Sequence, residues 1–355
     1  MAQKPEIPNR SIWPILAGLR FFLAFWVLCA HTYNFGLHSR AMPVPSQSGL
    51  IAVFCFFAIS GFSIHHSIST EPKGYHRRRI ARILPTHLAA VGLTFVAYIW
   101  FGTMYAGGGT AYPMPDALKW IAYFTLLNLL ILPAIMDVLF PLWSLSIEVV
   151  YYALAPAIRH RSDRFIFVMI LVSGAILVGA SLVHGQGAWL APYGGQAIVF
   201  AWAWLAGWLA YSVPRHVGYA FICGLIGCAT IWVNPQPFWL TKPSVLCWTY
   251  GAWIATIAVL FFPPKPAMPH MIKQILVYLG DLSFPLYLMH YPVLFTVSTA
   301  VWQRHPDLNY GWLQAVIALG AAHLVLRYID RPLGQAISEP IAVFRDRSNA
   351  ATISS

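Results

Sequence analysis

Apolar runs of about 20 residues recur from one end of this 355-residue chain to the other. A run of that length matches the hydrocarbon thickness of a bilayer when coiled as an α-helix. Only 9% of the residues are charged, against roughly 25% in a soluble domain. So few charges cannot clothe a water-facing surface, and no stretch is left over for a separate soluble domain. The pattern predicts an all-α fold, a polytopic transmembrane helical bundle of about ten spans with one re-entrant or interfacial segment. The spans are expected near 12–33, 49–68, 84–102, 140–158, 165–183, 196–213, 217–234, 244–262, 275–300 and 311–329. Residues 1–338 then form one integral membrane domain. The polar tail 339–355 is expected to be disordered and cytoplasmic.

The net charge of +11 could point to nucleic acid in a soluble protein. Here the cations cluster in short loops between apolar runs, which is the signature of membrane topology, and no nucleic-acid partner is expected. Lys4 and Arg10 precede the first run as in a signal peptide, but Arg20 interrupts that run and no small-residue cleavage site follows. It reads as a retained first span. The stretch 118–136 is also apolar. With the N-terminus inside, Lys73, Arg77, Arg78, Arg79 and Arg82 fall inside. A full crossing at 118–136 would then place Arg159, Arg161 and Arg164 outside, whereas a re-entrant segment keeps them inside, together with Arg215, Lys265, Lys273, Arg331, Arg345 and Arg347. Only Arg40, Lys242 and Arg304 remain on the outer side. Residues 103–139, Gly- and Pro-rich at their start, become a candidate outer lid. The five cysteines (Cys29, Cys55, Cys223, Cys228, Cys247) lie inside apolar runs without a C-x-x-C pair and read as packing residues.

Ionisable groups inside a span are costly and usually functional. Arg20 and His31 are eleven residues apart, which returns them to one face of the first span about 16 Å apart along its axis. Arginine is a fixed cation suited to phosphate, and a neutral histidine can take a proton from a hydroxyl. The plainer reading is that Arg20 snorkels inward and His31 sits at the outer interface. A second cluster runs Arg77-Arg78-Arg79-Ile80-Ala81-Arg82. Arg78 or Arg79 with Arg82 shares a helical face that can grip phosphate, although topology alone also asks for cations there.

Further along, Ser144, Glu148 and Tyr151 or Tyr152 share a face. Glu148 is a bare carboxyl in an apolar run, so it must pair with a cation or a histidine, or stay protonated. In the ninth run Ser283, Tyr287 and His290 share a face, and Pro285 is expected to kink the helix. His290 alone reads as a hydrogen-bonded structural histidine. His323, Arg327 and Asp330 form a stripe read as packing and cytoplasmic anchoring, and His65 and His66 read as interfacial. No histidine spacing matches a metal site, and no Walker loop, dinucleotide fingerprint or nucleophile elbow is present.

Taken in order, five motifs resemble the acyltransferase family 3 of integral membrane acyltransferases. They are Arg20 with His31; Phe56-Phe57-Ala58-Ile59-Ser60-Gly61-Phe62; Arg79-Ile80-Ala81-Arg82 with Pro85; Trp143-Ser144-Leu145-Ser146-Ile147-Glu148; and Ser283-Phe284-Pro285-Leu286-Tyr287-Leu288-Met289-His290. The chain departs from many members at Asp330-Arg331-Pro332, where they carry Glu before Arg-Pro. The resemblance implies an acyl-CoA-dependent enzyme; the expected location is the bacterial inner membrane, and the charge map puts both termini in the cytoplasm. The enzyme would move an acyl group, most commonly acetyl, to a hydroxyl of a carbohydrate or glycan acceptor. Acyl-CoA is then a co-substrate, no cofactor is permanently bound, and the partners are lipid, donor and acceptor.

The resemblance also implies His31 as the catalytic residue; as a mechanistic hypothesis from the residues themselves, Glu148 would hold its imidazole tautomer. Arg20, Arg78, Arg79 and Arg82 would be donor contacts, with Arg20 a candidate oxyanion donor. Ser60, Trp143, Ser144, Ser146, Tyr287 and His290 are the candidate acceptor or pocket residues. General-base transfer and a transient acyl-histidine both fit. The rival is a transporter or flippase of acyl groups or glycans, because charges facing a bundle interior also mark substrate pathways; a non-catalytic scaffold is the third reading.

Overall fold

The computed structural model describes residues 12–32, 35, 49–106, 109–132, 138–184, 194–233, 243–302 and 311–338. The first three helices are α1 (Ile12–Thr32), α2 (Gly49–Thr70) and α3 (Tyr75–Phe101). A short antiparallel hairpin, β1 (Thr103–Tyr105) and β2 (Ala111–Pro113), leads to α4 (Ala117–Thr125) and α5 (Asn128–Ile131). Then come α6 (Leu142–Ile158), α7 (Asp163–His184), α8 (Gly195–Val199), α9 (Ala201–Ser212), α10 (Val217–Val233) and α11 (Pro243–Phe261). The chain closes with α12 (His270–Trp302), α13 (Gly311–Val325), a π-helical turn (Leu326–Asp330) and α14 (Arg331–Ser338).

This is an all-α multi-pass membrane protein. Among the described residues six helical segments can cross a bilayer by length and composition, and shorter apolar helices stand at Leu142–Ile158, Val217–Val233 and Leu246–Phe261. Along α7 alone Phe165, Val168, Leu171, Val172, Ile176, Leu182 and Val183 are exposed, a belt suited to the bilayer interior.

A helix stands at each position where a span is expected, with instructive differences. α3 begins at Tyr75 rather than near 84, so the arginine cluster is part of the helix. The run 196–213 is broken at Phe200 into α8 and α9. α12 is continuous through Pro285 and Pro292 and, at about 50 Å, outruns the hydrocarbon core. Beyond Val325 the last span passes into the π turn.

Within 118–136, α4 has nine residues, or about 14 Å, and cannot cross the core. Asp116 caps it, its carboxylate accepting from the Lys119 N–H at 2.9 Å. Topology agrees. Arg77 near the start of α3 and Arg159 at the end of α6 line one groove, so α6 returns to the face from which α3 departs. A further crossing between them would break that return. The hairpin lies within the candidate lid. Arg40, Lys242, Arg304, Arg345, Arg347 and the tail 339–355 lie outside the described residues.

Two cores form. One centres on α2, α7, α9 and α11 and holds Trp202, Trp204, Trp208 and Trp253. The other centres on α3, α6, α12 and α13 and holds Leu286, Leu294, Phe295 and Ala318. α1 contributes to both. Glycine decides the closest approach, between α2 and α9. A Cβ on Gly61 would lie 1.9 Å from the Trp204 carbonyl oxygen, and one on Gly207 would lie 1.7 Å from that of Ala58. Small residues let membrane helices meet backbone to backbone. Phe56, Tyr152 and Tyr287 pack against both cores and mark the seam between them.

Candidate active site

A partly open cavity lies along that seam. α2 supplies Phe56, Ser60 and Ser63, spaced so that one helical face looks inward. α1 supplies Arg20, α3 supplies Arg79 and Arg82, α6 supplies Ser144, Glu148 and Tyr152, and α12 supplies Ser283, Phe284 and Tyr287.

Three guanidiniums therefore face one carboxylate. Glu148 is held by neighbours rather than by the arginines: Ser60 Oγ and Tyr152 Oη each donate to its Oε1 at 2.5 Å. Arg79 lies 5.9 Å from the ring centres of Tyr75 and Tyr152, and its Nη2 donates to Ser67 Oγ at 3.4 Å. Arg82 sits 5.3 Å above the Phe284 ring. Both contacts are cation–π attractions, which orient a guanidinium without neutralising it. Among the described residues, the Nε atoms of Arg20 and Arg79 are buried with no hydrogen-bond partner. Buried donors of this kind are costly, and an anion in the cavity would satisfy them.

Arg82 has one further tether. Asp330 lies 3.8 Å from its Nη1 and accepts a 2.6 Å hydrogen bond from Thr86 Oγ1. The aspartate is buried at the end of the π turn, a local widening often found at functional sites. Asp330 is thus more than an anchoring residue of a packing stripe. Its signal in the sequence is an acidic residue at the end of an apolar run, flanked by Arg327 and Arg331.

His31 and His290 stand apart from the cavity lining and meet each other. His31 Nδ1 is 2.8 Å from His290 Nε2, and His290 Nδ1 is 2.6 Å from the Tyr287 carbonyl. Tyr287 joins the two regions: its hydroxyl bonds Ser144 Oγ at 2.6 Å on the cavity wall, and its carbonyl holds His290. The partner found for His31 is therefore His290, and Glu148 is engaged by Ser60 and Tyr152 instead.

Of the residues expected at the site, Arg20, Ser60, Arg79, Arg82, Ser144, Glu148 and Tyr287 line the cavity. Arg78 does not: it pairs with Glu71 at 3.3 Å and donates to the carbonyls of Lys73 and Glu71 at the surface. Helical spacing would let it share a face with Arg82, but these contacts draw its side chain back to the turn before α3. Ser146 donates to Asn128 Oδ1 at 2.6 Å and ties α6 to α5, and Trp143 packs against Phe57 and Phe200. His65 stacks on Trp208, and His66 meets Tyr211 and Trp13. Among the described residues no cluster of three His, Cys, Asp or Glu side chains could hold a metal.

No curated protein and no solved structure matches the chain significantly. The family model for the acyltransferase domain of acyltransferase family 3 matches residues 13–326, from the start of α1 to the π turn. With nearly its whole length matched, the chain belongs to that family of membrane acyltransferases.

Proposed function

We propose that this protein transfers an acyl group, acetyl in the simplest case, from cytoplasmic acyl-CoA to a hydroxyl of a carbohydrate or glycan acceptor. The observation that carries the proposal is the cavity in which Arg20, Arg79 and Arg82 face a single, already engaged carboxylate. Such a cavity favours a polyanion, and the phosphates of CoA are one. Arg77, Arg159 and His160 line one groove at the helix ends and Lys273 and Arg331 line another, and basic ends of this kind support entry of the donor from the cytoplasmic side.

His31 lies about 16 Å further along α1 than Arg20. An extended pantetheine arm covers such a distance, so the thioester would pass Tyr287 and reach the histidine pair. At that separation Arg20 serves the donor phosphates, and the oxyanion falls to other donors. In the transfer step His31 accepts the proton of the acceptor hydroxyl as its oxygen attacks the thioester carbonyl carbon. The carbon–sulfur bond then breaks, and the departing thiolate recovers the proton from His31. The products are an ester and free CoA. An acyl-histidine on the same ring is the two-step variant.

The experiment is purification into lipid nanodiscs, with a panel of acyl-CoAs presented alongside free CoA and ATP. Binding that requires the CoA portion, followed by release of free thiol, is the expected result. Movement of acyl groups or glycans across proteoliposomes with no ester formed would favour the transporter reading and overturn this one.

A further inference from the structure

The two histidines and the Tyr287 carbonyl admit one arrangement of protons when both rings are neutral. A carbonyl oxygen only accepts, so His290 Nδ1, 2.6 Å from it, is the donor. A neutral imidazole carries one N–H, which leaves His290 Nε2 with a lone pair. That lone pair faces His31 Nδ1 at 2.8 Å, so His31 must donate there. Its only proton is then on Nδ1, and its Nε2 is bare.

Ring geometry supports the assignment. The planes differ by 8° and the centroids are 5.0 Å apart. That separation is close to the 2.8 Å nitrogen–nitrogen distance plus the two ring radii, so the rings lie edge to edge in one plane rather than face to face. The His31 N–H therefore points along the line to the His290 lone pair, as a strong hydrogen bond requires. His290 is fully buried, and both of its bonds run to uncharged groups. A cation on this ring would be left without a counter-charge in either bond.

We infer that His290 is a positioning residue: it holds His31 in the Nδ1–H form, so that Nε2 is the atom that accepts the substrate proton. In a serine-hydrolase triad a carboxylate fixes the histidine tautomer. Here a second imidazole, itself fixed by a backbone carbonyl one helical turn earlier, does so without adding charge to the membrane interior. The catalytic consequence rests on the proposed role of His31 as base; the tautomer itself does not.

Nitrogen-15 NMR of histidine-labelled protein in nanodiscs tests this directly, with the His31 and His290 signals assigned from the His31→Gln and His290→Gln variants. The expected spectrum shows Nδ1 protonated and Nε2 bare on both rings. A His31 protonated at Nε2, or a His290 protonated at both nitrogens, would overturn the assignment. A Gln at 290 still offers an oxygen to His31 Nδ1–H, whereas a Leu offers nothing. His290→Gln should keep the His31 tautomer and most of the turnover of acetyl-CoA. His290→Leu should lose the tautomer preference and reduce kcat about 10- to 100-fold with the donor KM unchanged. Unchanged tautomer and turnover in His290→Leu would refute the positioning role. Should His290→Leu fail to fold, the wild-type and His290→Gln spectra decide. If no acyl-CoA is turned over at all, the proposed function fails while the tautomer assignment is still read from the spectra.

Discussion

Replacing Arg20 by Met separates a residue that binds ligand from one that holds the bundle together. Arg20 lines the cavity on α1 and its Nε is buried without a partner among the described residues. In the ligand-free protein the side chain therefore stands among like charges, Arg79 and Arg82, with Glu148 already committed to Ser60 and Tyr152. Methionine of similar length removes an uncompensated charge and leaves no large void. Ligand-free stability should stay constant or rise. Donor binding should fall, because a hydrogen bond from a guanidinium to an anion contributes about 1.5–3 kcal/mol. At about 1.4 kcal/mol per decade that is a roughly 10- to 150-fold higher Kd for acyl-CoA. Arg20→Lys keeps the charge and loses the planar fork, so it should fall between the two. The assay pairs a thermal unfolding curve of the ligand-free protein with donor titration in nanodiscs. A clear fall in melting temperature with unchanged Kd would show that Arg20 is structural and would refute the phosphate assignment.

Other perturbations follow from the same contacts. Asp330→Asn should weaken donor binding several-fold by freeing Arg82, while the Thr86 hydrogen bond survives through the amide oxygen; an unchanged Kd would remove Asp330 from the site. Arg78→Ala should leave donor affinity within about twofold, since its partners are Glu71 and Lys73 and exposed pairs contribute little. Gly207→Val should prevent folded protein from accumulating, because the new side chain would collide with the Ala58 carbonyl; a monodisperse, stable variant would disprove that α2–α9 contact. Raising salt should weaken donor binding more than it weakens binding of an uncharged thioester, read from titrations at two ionic strengths.

The bundle was legible because a bilayer leaves little choice: each apolar run of about 20 residues must be a helix. Charge asymmetry carried the re-entrant reading of 118–136, which the shared groove of Arg77 and Arg159 supports. What hydropathy could not register were breaks inside apolar sequence. Phe200 interrupts the α8–α9 run without any polar residue to announce it, and the π turn at Leu326–Asp330 depends on how α13 packs. At the site, helical periodicity grouped Ser144 with Glu148 and Ser283 with Tyr287, and these residues do share the cavity. Periodicity acts within one helix, so it could not choose partners between helices. Nothing in the spacing tells Glu148 to take Ser60 and Tyr152 as partners rather than His31. His290, which looked structural in isolation, turns out to be the group that holds His31.

The most direct test compares wild-type protein with His31→Ala in nanodiscs, following release of free CoA from acetyl-CoA by mass spectrometry, with water as the acceptor. His31→Ala should bind the donor as tightly as wild type, because His31 lies apart from the arginine-lined cavity, and should release thiol about 10²- to 10⁴-fold more slowly, as expected for loss of a general base. Thiol release at the wild-type rate by a folded, donor-binding His31→Ala protein would contradict both the general-base and the acyl-histidine routes.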